Sequence, residues 1–303
     1  LRRIVKSMSA PTYYKVGGLH ANWHTAMSLL LLSEVYKREP SEELKATLLE
    51  VLKVAEDNRE ATGGWGHNKG FGKGIGKVPG KGIMDGNYPT DLGIITAMFF
   101  SGMLNMKHAK IPVPDAMLAA VQKNLEACSD GMGINYGIDN AVGDTAMGRA
   151  GFAFLGLHAA QYSQSKLYTS IPNGLRKRYK DTHTGHNYPP QHFMSVALAT
   201  HLLGPEDYKR FSDHWVDRLI PLQQADGSIE LPHTENGRWQ KDDQLFNSTV
   251  AAPAARRTPA PPSHTPALLA LTSPFLPSGR AGGGSRGGRF RSRQQRQSIL
   301  RKG

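Results

Sequence analysis

Apolar and polar residues alternate between two kinds of helical stretch over the first 250 residues. One kind is apolar on most faces and rich in Gly, Ala and Ser, which indicates helices buried on all sides. The other kind carries a single apolar stripe, which is typical of helices that cover a core. We predict the buried helices over residues 24–36, 92–106, 146–162 and 193–203.

The amphipathic stretches follow the buried ones along the chain. Three of them start directly after a proline, at Ser41, Asp115 and Glu206, and Ser41 is a suitable N-cap. The remaining stretch is interrupted by Ile-Pro-Asn-Gly at residues 171–174, because proline and glycine disfavour a helix interior. Only residues 175–180 of that stretch are therefore predicted to be helical.

Glycine-rich turns close the helical pairs. They read Gly63-Gly64-Trp65-Gly66, Asp130-Gly131-Met132-Gly133 and Asp226-Gly227-Ser228-Ile229. The glycines predict helix ends with positive φ, a conformation that glycine adopts without steric cost. We expect the apolar side chains of these turns to fold back as plugs, namely Trp65, Met132 and Ile229.

An Asn-led motif repeats with a spacing close to that of the turns. Asn87-Tyr88-Pro89, Asn135-Tyr136-Gly137 and Asn187-Tyr188-Pro189 are separated by 48 and 52 residues, and each precedes a predicted buried helix. Such a period is typical of helical-hairpin arrays. The predicted fold class is all-α, with four to five hairpins over residues 15–250. Closure of this array into a ring would make an α/α toroid.

The two ends of the chain fall outside this pattern. Residues 1–14 are interpreted as an N-terminal remnant, and further residues are expected before Leu1 because the chain does not begin with Met. No compartment is predicted for this reason. No apolar run approaches the ~18 residues that span a bilayer, so a membrane span is not expected.

Positive charge is concentrated in the tail. Residues 251–303 contain nine arginines, one lysine and no acidic residue, whereas residues 1–250 hold 27 basic and 25 acidic side chains. The Pro, Gly and Ala content of the tail predicts disorder. The tail is either an RNA-binding arm or the product of a shifted reading frame in GC-rich DNA. We favour the shifted frame, so a nucleic-acid partner is expected only if the tail is native.

Two of the glycine turns resemble those of a known superfamily. Gly63-Gly64-Trp65-Gly66 and residues 223–228 (Gln-Gln-Ala-Asp-Gly-Ser) look like the QW-type turns of terpenoid cyclases, whose α/α-toroid fold is shared by protein prenyltransferase β-subunits. The resemblance covers about residues 15–250. It implies inner and outer helical rings with ligands bound near a central cavity, and it says more about fold than about activity.

The catalytic signatures of these families do not carry over. Class II cyclases use an Asp-x-Asp-Asp proton donor, but residues 139–146 (Asp-Asn-Ala-Val-Gly-Asp-Thr-Ala) lack paired aspartates. Prenyltransferases hold zinc through Asp, Cys and His, whereas the single cysteine, Cys128, is expected to be a small buried side chain on an outer helix. An alternative is that the chain belongs to a bacterial branch of this fold that uses neither signature.

Polar and aromatic residues gather just before the buried helices. In a ring of hairpins these helices start at the same end, so such residues would surround one mouth of the cavity. We predict acid–base roles there for His24, Asp91, Asp144 and His186. The predicted ligand-binding residues are His20, Trp23, His67, Asn68, Tyr88, Tyr136, Asp139, His183, Asn187 and Tyr188.

Each of these residues also has a structural interpretation. Asn and Asp before a helix are common N-caps, and a repeated Tyr is often a packing wedge. Asp91 and Asp144 fit a pair of N-caps better than the acid and base of a glycosidase. The histidine spacings would suit zinc, but no His-Glu-x-x-His motif is present, so no metal or cofactor is predicted. The lysines within residues 69–82 are interpreted as a solvated loop rather than a phosphate-binding loop.

Two classes of function remain open. The first is an enzyme-like toroid that binds a small molecule or a polysaccharide at the mouth. The second is a non-catalytic scaffold for protein interaction, which predicts a filled centre and an exposed apolar rim.

Overall fold

Helices account for most of the described structure. The computed structural model describes residues 2–15, 21–67, 84–85, 88–89, 92–138, 146–183 and 189–223, which all belong to one compact unit. Two-residue strands β1 (Met84–Asp85) and β2 (Tyr88–Pro89) pair antiparallel. The ten α-helices of these residues are α1 (Arg2–Met8), α2 (Pro11–Tyr14), α3 (Ala21–Tyr36), α4 (Glu42–Asn58), α5 (Gly93–His108), α6 (Asp115–Ala127), α7 (Met147–Ala159), α8 (Leu167–Arg178), α9 (Pro189–Leu203) and α10 (Pro205–Leu219).

The helices alternate between a central row and a flanking layer. The central helices α3, α5, α7 and α9 pack side by side in chain order, α3 on α5, α5 on α7 and α7 on α9. Each flanking helix, α4, α6, α8 or α10, packs against the central helix that precedes it. The predicted helical character and the alternation of buried and amphipathic helices are confirmed. The toroid and the number of its repeats stay predictions.

Small residues let the central helices approach closely. Gly102 of α5 faces Leu29 of α3, and a Cβ atom at Gly102 would lie 2.9 Å from the Leu29 side chain. Gly156 of α7 faces Ser101 of α5, and the N–H of Gly156 donates to the Ser101 Oγ at 2.9 Å. This packing explains why the central helices are rich in Gly and Ser, since larger side chains would separate their backbones.

The flanking helices follow the start signals of the sequence, with one exception. The Ser41 Oγ accepts a hydrogen bond from the N–H of Leu44 at 3.1 Å, which confirms the predicted N-cap. The predicted break at residues 171–174 is wrong, because α8 continues through Pro172. Ile171 and Leu175 are fully buried, and this burial offsets the hydrogen bond that proline removes.

Two central helices end in Schellman motifs, in which the residue after the C-cap is left-handed. Lys110 follows α5 with φ 64°, and Gln161 follows α7 with φ 49°. The N–H of Ile111 donates to the carbonyl of Met106, and the N–H of Tyr162 donates to that of Leu157, both at 2.9 Å. The glycines Gly63 and Gly131 also have positive φ, but they lie in the turns beyond the helix ends, contrary to the prediction that they terminate the helices.

Other predictions concern segments beyond this part of the chain. The fifth hairpin, the plug at Ile229, the tail and the loop at residues 69–82 lie outside the described residues. Cys128 is buried, as predicted, at the C-cap of α6. No helix in the described ranges combines the length and apolar character that a membrane span requires.

Candidate functional site

The segment after α4 runs across the starts of two central helices. The N–H of Leu92, the N-cap of α5, donates to the Trp65 carbonyl at 2.7 Å. The N–H of Asn22, at the start of α3, donates to the His67 carbonyl at 3.1 Å. The first N–H groups of a helix have no partner inside it, so residues 63–67 supply acceptors for two neighbouring helices. We call this segment the first crossing turn.

The segment after α6 repeats the arrangement. The N–H of Ala146, the N-cap of α7, donates to the Ile134 carbonyl at 3.1 Å, and the N–H of Gly93 in α5 donates to the Tyr136 carbonyl at 2.7 Å. Residues 129–136 therefore form a second crossing turn, between α5 and α7. A Cβ atom at Gly93 would lie 2.3 Å from the Asn135 carbonyl oxygen, so only glycine admits this approach.

The structural equivalence of the two crossing turns corrects the predicted plugs. Trp65 and Ile134 are fully buried and occupy equivalent places, whereas Met132 is only half-buried. The Asp130 Oδ1 accepts hydrogen bonds from the N–H groups of Met132 and Gly133 at 2.8 and 2.7 Å. With this Asx turn, the plug Ile134 lies three residues after the left-handed Gly131, whereas Trp65 lies two residues after Gly63. The prediction of Met132 is therefore wrong, and the plug of the second turn lies two positions later.

The same equivalence changes the interpretation of the Asn-Tyr repeat. Tyr136 lies two residues after the plug Ile134, and its carbonyl accepts from the start of α5. In the first turn His67 lies two residues after the plug Trp65, and its carbonyl accepts from the start of α3. His67 is therefore the counterpart of Tyr136. Tyr88, which the spacing aligns with Tyr136, belongs to β2 in the segment that precedes α5.

Two half-buried aromatic pairs lie at the start of α3, Trp23 with His67 and Tyr13 with His24, and we call the four residues the mouth cluster. The Trp23 Nε1–H donates to Nδ1 of His67 at 2.9 Å, and the two rings stack at 6.0 Å between centroids. Because Nδ1 accepts this hydrogen bond, a neutral His67 carries its proton on Nε2.

His24 belongs to the second pair of the cluster. Its ring lies edge-to-face with Tyr13, with 4.7 Å between the centroids. Its Nδ1 atom is buried and has no hydrogen-bond partner among the described residues. Burial raises the pKa of the Tyr13 hydroxyl above its usual range, so this hydroxyl stays neutral at physiological pH. The cluster therefore combines apolar ring faces with neutral groups that can donate or accept hydrogen bonds.

Arg149 is a site residue that the sequence interpretation missed. It lies in the first turn of α7 and is 1% exposed, with its guanidinium 5.3 Å from the centre of the Tyr136 ring. Its Nη1 donates to the Ile134 carbonyl at 3.3 Å. The available signal was an arginine inside a predicted buried helix, since a charged side chain is rarely buried without a partner. Arg149 holds the second crossing turn against α7.

His183 does not join the mouth cluster. Its ring packs on Trp215 of α10 at 5.4 Å, and its Nδ1 lies 3.2 Å from the Lys180 carbonyl oxygen. Tyr88 is described only as part of β2. The other predicted site residues lie outside the described residues; they are His20, Asn68, Asp91, Asp139, Asp144, His186, Asn187 and Tyr188. In the part of the chain that is described, no three His, Cys, Asp or Glu side chains are placed to hold a metal ion.

The opposite ends of α3 and α5 carry a different polar group. The Glu34 Oε1 accepts hydrogen bonds from Lys37 Nζ at 3.1 Å and from Asn105 Nδ2 at 2.8 Å. Lys37 also donates to the Asn105 Oδ1 at 3.3 Å, and both charged side chains are largely buried. Each of the three residues contacts the other two, so this group ties α3 to α5.

Comparison with protein-family models finds no matching family, and none of the curated proteins matches the chain either.

Proposed function

We propose that the chain is an α/α-toroid protein of the terpenoid cyclase and prenyltransferase kind that binds a small-molecule or glycan ligand where its central helices begin. The supporting architecture is the row α3, α5, α7 and α9, with one flanking helix packed on each. Neighbouring central helices start on the same side of the row, because each crossing turn supplies acceptors to the starts of two adjacent helices.

The mouth cluster is the observation that carries the proposal. In each pair a ring supplies a flat apolar face, Trp23 or Tyr13, and an imidazole supplies nitrogen atoms, His67 or His24. A few polar groups set among aromatic rings are typical of sites for neutral ligands with hydroxyl groups, because the rings cover the ligand and the polar groups orient it. A sugar or a cyclic alcohol has this chemistry.

His24 is the proposed acid–base residue of this site. Its Nδ1 is desolvated and has no hydrogen-bond partner among the described residues, so a ligand hydroxyl that donates to it would satisfy a buried acceptor. The proposed partners in catalysis, Asp91, Asp144 and His186, lie outside the described residues. Ligand binding is therefore the first property to test, and catalysis would require it.

The scaffold alternative has mixed support. Neighbouring central helices pack closely at residues such as Gly102 and Gly156, which is compatible with a scaffold. However, the large exposed apolar side chains of the described residues are Ile4, Leu49 and Ile220, on three separate elements. Single exposed residues do not make an apolar rim, so the ligand-binding function is favoured.

The proposal is tested by titrating the protein with neutral oligosaccharides of several linkages and with cyclic terpene alcohols, monitored by saturation-transfer NMR. We expect Trp23→Phe, which removes the Nε1–H donor, and His24→Ala to weaken binding of the active ligand at least about tenfold. Tyr36→Phe is the matched control, since it changes a polar aromatic residue at the other end of α3. Equal effects of all three variants, or no binding by the native chain, would contradict the proposal.

A further inference from the structure

A second group of aromatic and basic residues lies where α8 meets α10, and we call it the basic edge. It contains Tyr179, Lys180 and His183 from the segment after α8, and His214 and Arg218 from α10. Trp215 joins the two segments, because its Nε1–H donates to the Tyr179 carbonyl at 2.8 Å. The basic edge shares no residue with the mouth cluster.

Ring contacts fix the imidazoles and the cations around Trp215. The His214 and His183 rings lie 4.8 and 5.4 Å from the Trp215 ring, and the Arg218 guanidinium lies 5.6 Å from it. On the other side, the Lys180 Nζ lies 6.0 Å from the ring of Tyr179, which itself contacts His214 at 5.8 Å. Trp215 is buried, whereas Lys180, His183 and Arg218 are exposed.

The cations of the basic edge differ from neighbouring basic residues in whether an acidic side chain pairs with them. Arg178 pairs with Asp130 and Asp181, and Lys209 pairs with Asp213. Within the described residues, Lys180 and Arg218 form cation–π contacts and no ion pair. The positive charges of Lys180 and Arg218 are therefore not neutralised by an ion pair within the described residues. Beside two imidazoles, they make a surface that attracts an anion.

His183 adds directionality to this charge. Its Nδ1 faces the Lys180 carbonyl oxygen, which can only accept, so Nδ1 carries the proton. A proton on Nε2 is then present only in the imidazolium form. An anion held at Nε2 would favour that form, because it accepts the second N–H and compensates its charge. Anion binding at this residue is thus coupled to proton uptake.

We infer that the basic edge binds an anion of phosphate chemistry between Lys180, His183, His214 and Arg218. A phosphate group offers several acceptor oxygens in different directions, which suits donors that come from two chain segments. A monocarboxylate offers two oxygens in one plane and fewer contacts. Affinity should rise as the pH falls through the titration of the imidazoles.

The electrostatics around His214 agree with this inference. Burial, followed by the charges of Arg218, Lys180 and His183, lowers the pKa of the His214 imidazole. A bound anion offsets the repulsion and raises that pKa, because proton and anion binding are linked. The other charged or titratable groups on the elements packed around this part of α10 are Arg178, Asp181, Asp213 and Asp217, with His192 on α9.

The test is a pH titration of the histidine ring resonances with inorganic phosphate and, separately, with acetate at the same ionic strength. We expect phosphate to raise the pKa of His214 saturably, and acetate to have little effect. Calorimetry at pH 6 should show tighter phosphate binding than at pH 8, with proton uptake. Identical responses to the two anions would mean simple screening and would overturn the inference.

Variants locate the site. The double variant Lys180→Gln/Arg218→Gln should weaken phosphate binding at least about tenfold. The control Lys177→Gln removes an exposed cation from the same surface of α8, and it should leave binding unchanged. If the double variant loses its native circular dichroism, Lys180→Gln alone should still weaken binding about threefold. An equal loss of phosphate affinity in Lys177→Gln would rule the site out. Trp23→Phe should leave phosphate affinity unchanged, so a failure of this inference is distinguishable from a failure of the proposed function.

Discussion

At their N-terminal ends, the central helices α5 and α7 donate backbone N–H groups to the crossing turns, whereas at their C-terminal ends they close on themselves in Schellman motifs. The acceptors at the first end are distant in sequence, such as Trp65 for Leu92. The acceptors at the second end lie within the last turn of the same helix. The N-terminal end of each of these helices therefore depends on tertiary structure, whereas the C-terminal end is closed by hydrogen bonds within the helix itself.

The side chains at the two ends differ in the same way. At the C-terminal end Glu34, Lys37 and Asn105 bind one another. At the N-terminal end the backbone of the crossing turns satisfies the helices, and Trp23 and His67 stay half-exposed. The comparison teaches that a helix start can be satisfied by main-chain acceptors that are distant in sequence, whereas the helix end is satisfied by local closure and a side-chain network. Three sets of substitutions test it.

The largest effect is expected at the plugs of the crossing turns. Trp65→Ala removes a fully buried ring that stacks on Phe99 at 4.2 Å and donates to the Ala55 carbonyl, so the free energy of unfolding should fall by about 3–5 kcal/mol. Ile134→Ala should cost about 2–4 kcal/mol. Denaturant unfolding measures both.

Met132→Ala is the control for these plugs. Its side chain is half-buried beside the second plug, so we expect a loss below about 1 kcal/mol. A loss as large as that of Ile134→Ala would show that the two crossing turns are not equivalent.

The charged group at the C-terminal end should give the second effect. Lys37→Met leaves the largely buried Glu34 carboxylate without its cation, which should lower the free energy of unfolding by about 2–3 kcal/mol. Lys45→Met breaks the exposed pair with Glu42 at the same i,i+3 spacing and should change it by at most about 0.5 kcal/mol. Chemical denaturation at neutral pH separates these outcomes, and equal effects would mean that the buried pair is not structural.

The smallest effect is a gain in stability at the Schellman motifs. Lys110→Gly and Gln161→Gly relieve left-handed φ values of 64° and 49°, and each should raise the free energy of unfolding by about 0.5–1 kcal/mol. Ala109→Gly, one residue earlier with φ −78°, should lower it by a similar amount. Thermal melts of the three variants provide the measurement, and a loss at Lys110→Gly would refute local closure of α5.

Sequence periodicity was sufficient where one element determined its own structure. The helices came from their apolar patterns, and the Ser41 cap from a side chain three residues from its donor. The break expected at Pro172 failed because the burial of Ile171 and Leu175, a tertiary effect, outweighs a local preference. The left-handed Lys110 carried no signal, since glycine usually marks such positions.

The candidate site was less accessible from sequence. His67 and Tyr136 were both predicted, but their equivalence depends on which carbonyl meets which helix start. Spacing aligned Tyr88, and not His67, with Tyr136, because more residues separate His67 from α5 than separate Tyr136 from α7. The residues around Trp215 had no common motif, as they come from two segments that only folding brings together.

The crossing turns also define the unit in which such a chain can lengthen or shorten during evolution. A deletion that removes α5, α6 and the second crossing turn together would place Ala146 where Leu92 now meets the Trp65 carbonyl, and every donor would regain an equivalent acceptor. A deletion that ends between a flanking helix and its turn would leave two helix starts unsatisfied. Gene duplications and losses in this architecture should therefore have their boundaries just after a crossing turn.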